Sequence, residues 1–152
     1  MELYRITKKK YANDLSGEGA QIYGGRWNRK GVPVLYTSEY ISLAAMEVLV
    51  NTAISNLPDD LKLIVIDIPD GINMDQVKRD DLPKNWREYP APRFLIEKGT
   101  TWAVNKKTLM LKVPSAVIPW EYNVLVNPLH EEIRHVTIKG VRDFRFDERL
   151  GS

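Results

Sequence analysis

Apolar residues recur along this chain at two spacings, and the change from one to the other marks its elements. A short strand is predicted at Leu3–Ile6, followed by a loop-like stretch from Tyr11 to Gly31 that carries glycine at 17, 19, 24, 25 and 31. Val34–Thr37 reads as a strand. From Ser42 to about Ser55 the period lengthens: Leu43, Met46, Leu49, Val50, Ala53 and Ile54 fall on one side of a helix. Leu61–Ile68, apolar but for Lys62 and Asp67, is the clearest buried strand in the chain. Pro69 to Pro92 is polar and holds four of the nine prolines, so it is predicted as loop with at most one helical turn. A helix is expected over Arg93–Lys98, with Thr101–Asn105 as a candidate continuation. Strands then follow at Thr108–Val113, Asn123–Val126, Ile133–Lys139 and Asp143–Phe146. Gaps this short leave no room for helical crossovers, so the C-terminal half must be largely antiparallel. The expected fold is mixed α+β: a largely antiparallel twisted sheet with a few packed helices, formed as one domain over residues 1–152.

Composition narrows the chemistry. Cysteine is absent, which removes disulfides, thiolate catalysis and thiolate metal sites. The balance of 22 basic against 20 acidic residues is a net charge of +2, too small to make nucleic acid the main partner. Lys8-Lys9-Lys10, the one basic run, reads as a solvated turn. No apolar run approaches the ~20 residues of a membrane span. Met1–Arg5 lacks the basic-then-apolar layout of a secretion signal, so a cytoplasmic protein is expected. His130 and His135 stand five apart with no further histidine or cysteine, and no metal site is expected.

Two places invite a functional reading. On a helical wheel Glu47 projects about 40° from Leu43 and about 20° from Ile54, at the edge of the apolar stripe. A carboxylate there loses hydration and must be paired, protonated or functional; a buried ion pair with an arginine of the glycine-rich loop is the plain alternative. Gly24-Gly25-Arg26-Trp27-Asn28 combines flexible backbone, a forked cation, a flat indole and an amide, the tools for holding a phosphate and stacking on a ring. The competing reading is a β-turn whose tryptophan plugs the core and whose arginine lies on the surface. Gly17-Glu18-Gly19 lacks the third glycine and the preceding strand of a dinucleotide fingerprint.

In order along the chain, these segments resemble the RES domain, a family named for its arginine, glutamate and serine. The resemblance is carried by Leu15-Ser16-Gly17-Glu18-Gly19-Ala20, Gly24-Gly25-Arg26-Trp27-Asn28, Gly31-Val32-Pro33-Val34-Leu35-Tyr36-Thr37-Ser38 and Ser42-Leu43-Ala44-Ala45-Met46-Glu47. It continues through Trp102, Val113-Pro114-Ser115-Ala116-Val117-Ile118-Pro119 and Asn123-Val124-Leu125-Val126-Asn127-Pro128-Leu129-His130. It implies a fold related to ADP-ribosyltransferase toxins and an enzyme that breaks NAD⁺ at its nicotinamide–ribose bond. NAD⁺ would be a consumed substrate, with no cofactor and no metal. The implied catalytic residues are Glu47, Arg26, Tyr36 and Ser115, and the implied NAD⁺ contacts are Arg5, Arg26, Trp27 and Tyr36. Arg5 and Arg26 would clamp the pyrophosphate, Tyr36 would face nicotinamide, and Glu47 would stabilise the oxocarbenium ion. Ser115 would position the substrate or a nearby carboxylate; on its own it reads as a turn residue between Pro114 and Pro119. Family members are the toxic half of toxin–antitoxin pairs, so a cognate antitoxin with an Xre-like helix-turn-helix is the expected partner, together with homodimerisation.

Whether water, phosphate or a macromolecule accepts the ADP-ribosyl group stays open at this level, and substrate contacts between residues 57 and 102 cannot be assigned. Two rival readings accompany the enzyme. One is an RNA-binding or RNA-cleaving toxin that grips single strands with Tyr23, Arg26 and Trp27. The other is a non-catalytic module that binds a nucleotide and leaves it intact.

Overall fold

The computed structural model describes residues 1–151; Ser152, the last residue of the expected domain, lies outside them. Among the described residues seven strands form one sheet: β1 (Glu2–Lys8), β2 (Leu35–Ser38), β3 (Leu61–Asp67), β4 (Met74–Gln76), β5 (Met110–Pro114), β6 (Tyr122–Val126) and β7 (Thr137–Asp143). Three α-helices accompany them among the described residues: α1 (Glu18–Tyr23), α2 (Ile41–Asn51) and α3 (Arg93–Asn105). The strand order is β4-β5-β6-β2-β1-β3-β7, antiparallel throughout except for the β4–β5 pair. This is the expected mixed α+β architecture. Among the described residues no helix is long and apolar enough to cross a membrane.

Pleating sends alternate side chains of each strand to opposite faces of the sheet. On the near face lie Tyr4, Tyr36, Ser38, Val113, Asn123 and Leu125; on the far face lie Leu3, Arg5, Leu35, Val124 and Val126. The far face is covered by the chain around Ala12 and Leu15 and by Val136. Both long helices pack on the near face. Ala44, Ala45 and Val48 of α2 meet Tyr4, Ile6, Leu61 and Leu63, while Leu95, Trp102 and Ala103 of α3 meet Leu111, Val113 and Leu125. Between these two packed blocks the floor is made by β2 and β6.

The elements depart from the sequence expectation where tertiary contacts outweigh local pattern. The glycine-rich stretch contains α1, whose Ala20 carbonyl is held by the Asn28 amide at 2.8 Å. Residues 69–92 contain β4, three residues that pair in parallel with β5 at the sheet edge. The helix begun at residue 41 stops at Asn51, where the Asn51 amide bonds back to the Glu47 carbonyl at 2.9 Å and Thr52 turns extended. The two candidate helical pieces around Gly99 are one continuous α3. Glu131–His135 is a 3-10 turn rather than the start of a strand, with the His130 ring accepting the Glu132 N–H at 3.0 Å. The last expected strand, Asp143–Phe146, is replaced by the end of β7 and an edge-to-face pair, Phe144 and Phe146, with ring centroids 4.9 Å apart.

Candidate active site

Glu47 stands partly buried on α2, facing the floor between the two helical blocks. Its Oε1 accepts two hydrogen bonds, from the Ser115 hydroxyl at 2.8 Å and from the Asn123 amide at 2.7 Å. Ser115 is fully buried at the end of β5, and its Oγ accepts the N–H groups of Val117 and Ile118, both at 3.1 Å. With those acceptor positions filled, the hydroxyl hydrogen is directed at the carboxylate. The Oε2 atom has no protein partner among the described residues. One oxygen is therefore fixed, and the other is free to accept from a ligand.

The opposite wall is the tight turn Gly25–Asn28, closed by backbone bonds between its two ends. Tyr36 projects from the floor into this turn. Its hydroxyl donates to Asn28 Oδ1 at 2.6 Å and accepts the Trp27 N–H at 3.0 Å. Burial pushes the Tyr36 phenol well above its ordinary pKa, so it is a neutral donor at physiological pH. Gly25 is closely packed here: a Cβ would meet the Tyr36 hydroxyl at 2.7 Å and Asn28 Oδ1 at 2.9 Å, so a larger residue would have to displace that hydrogen bond. The Asn28 amide in turn donates to the carbonyls of Ala20 and Val32 at 2.8 and 2.9 Å. The turn is thus fixed from three sides, which fixes Arg26.

Arg26 is half-buried. Its Nη1 donates to the carbonyls of Trp86 and Glu88 at 2.9 and 3.1 Å. Burial lowers its pKa, while the nearby Glu47 carboxylate, Tyr36 and Tyr89 act in the opposite direction. An arginine shifted this way still carries its charge at pH 7. Glu47 lies close enough to interact with it electrostatically, yet the two form no ion pair within 4.0 Å among the described residues. Arg26 and Glu47 are thus electrostatic neighbours that do not touch, each held by other partners. Arg87, on the same segment as Trp86, bonds the Ala116 carbonyl at 2.9 Å, next to Ser115. The 86–88 segment so links the Arg26 wall to the Ser115 wall.

Two expected substrate contacts stand elsewhere. Trp27 is buried in the core among Val34, Leu95, Trp102 and Leu111, so its indole offers no face to a ligand. Its bulk and apolar surface are what the core requires at that point. Arg5 lies on the far face of the sheet, where one Nη donates to the Asp14 carbonyl at 3.2 Å. Burial lowers its pKa against the pull of Asp14 and Tyr11. With the sheet between them, Arg5 and Arg26 do not form one clamp. Glu47, Arg26, Tyr36 and Ser115 are brought together.

Sequence reasoning passed over Asn123 and Ser38. Asn123 shares a face with Leu125, so a polar residue on an otherwise buried stripe was the available signal. A cavity of about 650 Å³ lies apart from this cluster, between α3 and β4, with Phe94, Trp102 and Lys107 in its lining and neither Glu47 nor Arg26. Among the described residues no three His, Asp or Glu side chains are grouped as a metal site.

The family model of the RES domain matches residues 2–147. The chain is 39% identical to Toxin Res of Yersinia enterocolitica serotype O:8 / biotype 1B over 153 residues, covering 99% of each chain. It is 37% identical to the Prs ADP-ribosylating toxin of Sphingobium sp. strain YBL2 over 141 residues, 91% of this chain and 88% of that one. Its fold is similar to a chain of the M. tuberculosis MbcT–MbcA toxin–antitoxin complex, with a TM-score of 0.72 over 94% of this chain and 83% of that chain, at 21% identity. With the family model covering nearly the whole chain and relatives matching end to end, this chain belongs to the RES domain family.

Proposed function

We propose that this chain is the toxin of a toxin–antitoxin pair and that it consumes NAD⁺ by breaking the nicotinamide–ribose bond. The observation that carries the reading is the half-tethered carboxylate of Glu47, with one oxygen free of protein partners, in electrostatic reach of a half-buried Arg26. The toxin names of its relatives and the toxin–antitoxin complex formed by its structural neighbour support it.

In the reaction, the C1′–N bond breaks and its electron pair stays on the ring nitrogen. Nicotinamide, cationic while attached, leaves neutral and needs little acid assistance. Positive charge grows on the ribose, as in glycoside hydrolysis, and the open oxygen of Glu47 faces it while accepting a ribose hydroxyl. Arg26 directs its unused N–H groups at the pyrophosphate. Tyr89, exposed beside Arg26, supplies the ring face that Trp27 does not. Water adds at C1′ and releases its proton to Glu47, or phosphate adds in its place. NAD⁺ is thus a substrate, and the chemistry calls for no further cofactor. The regulator is an antitoxin with an Xre-like helix-turn-helix, the toxin self-associates within the complex, and the site of action is the cytoplasm. The Prs relative's name favours a second reading, transfer of ADP-ribose to a macromolecule.

The test is to incubate purified, antitoxin-free protein with NAD⁺, with and without phosphate, and to follow free nicotinamide by chromatography. Release in plain buffer identifies water as acceptor, and dependence on phosphate identifies a phosphorylase. Label from adenine-labelled NAD⁺ that stays bound to macromolecules supports the second reading. Intact NAD⁺ throughout, with the protein folded, favours a nucleotide-binding module or an RNA-directed toxin. Arg26→Lys is expected to raise the KM for NAD⁺ roughly 10- to 100-fold, because an ammonium lacks the planar fork that lets one nitrogen hold the two carbonyls while the others bind a phosphate. An unchanged KM in that variant would remove Arg26 from the substrate site.

A further inference from the structure

Glu47 is held by more than the serine for which the family is named. A carboxylate only accepts hydrogen bonds, so the Asn123 side chain must present its NH₂ group to Glu47, and at 2.7 Å it does. That choice turns the Asn123 oxygen the other way, where the buried Ser38 hydroxyl donates to it at 2.7 Å. Both residues sit in regular strands, and Ser38 and Asn123 are directly paired across β2 and β6. Strand register therefore sets the Ser38–Asn123–Glu47 chain, whereas Ser115 reaches Glu47 from the loop side. The two donors converge on the same oxygen, Oε1.

Resting on the reading of Glu47 as the residue that faces the ribose, we infer that Asn123, oriented by Ser38, is a positioning residue that selects Oε2 of Glu47 as the reacting oxygen. A single donor leaves a carboxylate free to rotate about its last torsion and exchange its oxygens. Two donors from different elements on one oxygen remove that freedom. The groups facing Glu47 are the charged Arg26 from the Gly25–Asn28 turn, the phenol of Tyr36 from the floor, and the neutral Ser115 and Asn123. An acid introduced at 123 would thus meet one carboxylate and one more distant cation.

The variants are Asn123→Ala, Asn123→Asp and Ser38→Ala, each measured for nicotinamide release over a range of pH. Asn123→Ala is expected to lower kcat about tenfold, the loss of one hydrogen bond to a charged group, while the KM for NAD⁺ stays within a few-fold. Asn123→Asp places two carboxylates at hydrogen-bond distance, where they share a proton, so the acid limb of the kcat–pH profile moves up by at least about one unit. Ser38→Ala, the smallest change, is expected to reduce kcat a few-fold and serves if Asn123→Asp does not fold. A crystal structure of Asn123→Ala reads the same idea without turnover: the Glu47 carboxylate should adopt a second orientation. An unchanged kcat in Asn123→Ala and Ser38→Ala, a rise in KM alone, an unmoved acid limb, or an unmoved carboxylate would overturn the inference. A wild-type chain that leaves NAD⁺ intact would overturn the proposed reaction instead, and the carboxylate orientation would still decide the role of Asn123.

Discussion

Glu47→Gln is expected to reduce nicotinamide release by roughly 10²- to 10³-fold, the range lost when a preorganised electrostatic group is removed from a transition state. The substitution is close to isosteric. Its side-chain oxygen can still accept from Ser115 and Asn123, so the network that fixes the residue survives. What changes is the open atom, which becomes an amide NH₂ and turns a donor toward the developing cation. The melting temperature should stay within a few degrees of wild type and the KM for NAD⁺ within a few-fold. Ser115→Ala is a less clean probe, because it also strips the acceptor from the N–H groups of Val117 and Ile118. Orphaned donors cost about 1–3 kcal/mol, so lost activity there would mix with lost stability. If Glu47→Gln keeps more than about a tenth of the wild-type rate, Glu47 is not the group that stabilises the charge.

Gly99→Ala carries the largest expected effect on stability, and its sign is opposite to the usual one. Within a helix, alanine is ordinarily favoured over glycine by about 1 kcal/mol. Here the added Cβ overlaps the Trp27 carbonyl oxygen and comes within 2.8 Å of the Trp27 carbonyl carbon and Cβ. The obstacle is backbone, which cannot swing aside as a flexible side chain would. Next to it, the Arg29 N–H donates to the Thr100 hydroxyl at 3.0 Å, so the turn is bonded to α3 as well as packed on it. Moving the turn pulls the Trp27 indole from its core and shifts Arg26. A loss of about 3 kcal/mol or more follows, seen as a fall in melting temperature of roughly 6–12 °C, with impaired turnover. Gly19→Ala is the matched control: that glycine lies in α1 with nothing within 4 Å of its would-be Cβ. Its melting temperature should equal or slightly exceed the wild-type value. A Gly99→Ala protein as stable as wild type would refute the close packing of α3 on the turn.

The same glycine illustrates why some of the chain resisted reading. On local propensity Gly99 divides α3 into two pieces, and only the contact with Trp27 explains a glycine inside a continuous helix. In the same way α1 sits among glycines that argue against a helix, and β4 is too short for any periodicity to show. The strands with mostly apolar or alternating residues, α2 and the first half of α3 were legible, since burial of a repeating face is a local property of sequence. Glu47 was legible for the same reason, as a carboxylate at the edge of an apolar stripe.

The sequence by itself determined the mixed α+β class, the antiparallel C-terminal half and the absence of thiol chemistry, and it singled out Glu47 and the Gly-Gly-Arg-Trp-Asn turn as candidates. Tertiary structure alone decided which of the candidate residues meet. Strand pairing placed Asn123 beside Ser38 and both beneath Glu47. Pleat alternation put Arg5 behind the sheet, and core packing consumed Trp27. The physical reason is that a helix or strand writes its own face in its spacing. Which face of one element lies against another is fixed only by register and packing between residues distant in the chain.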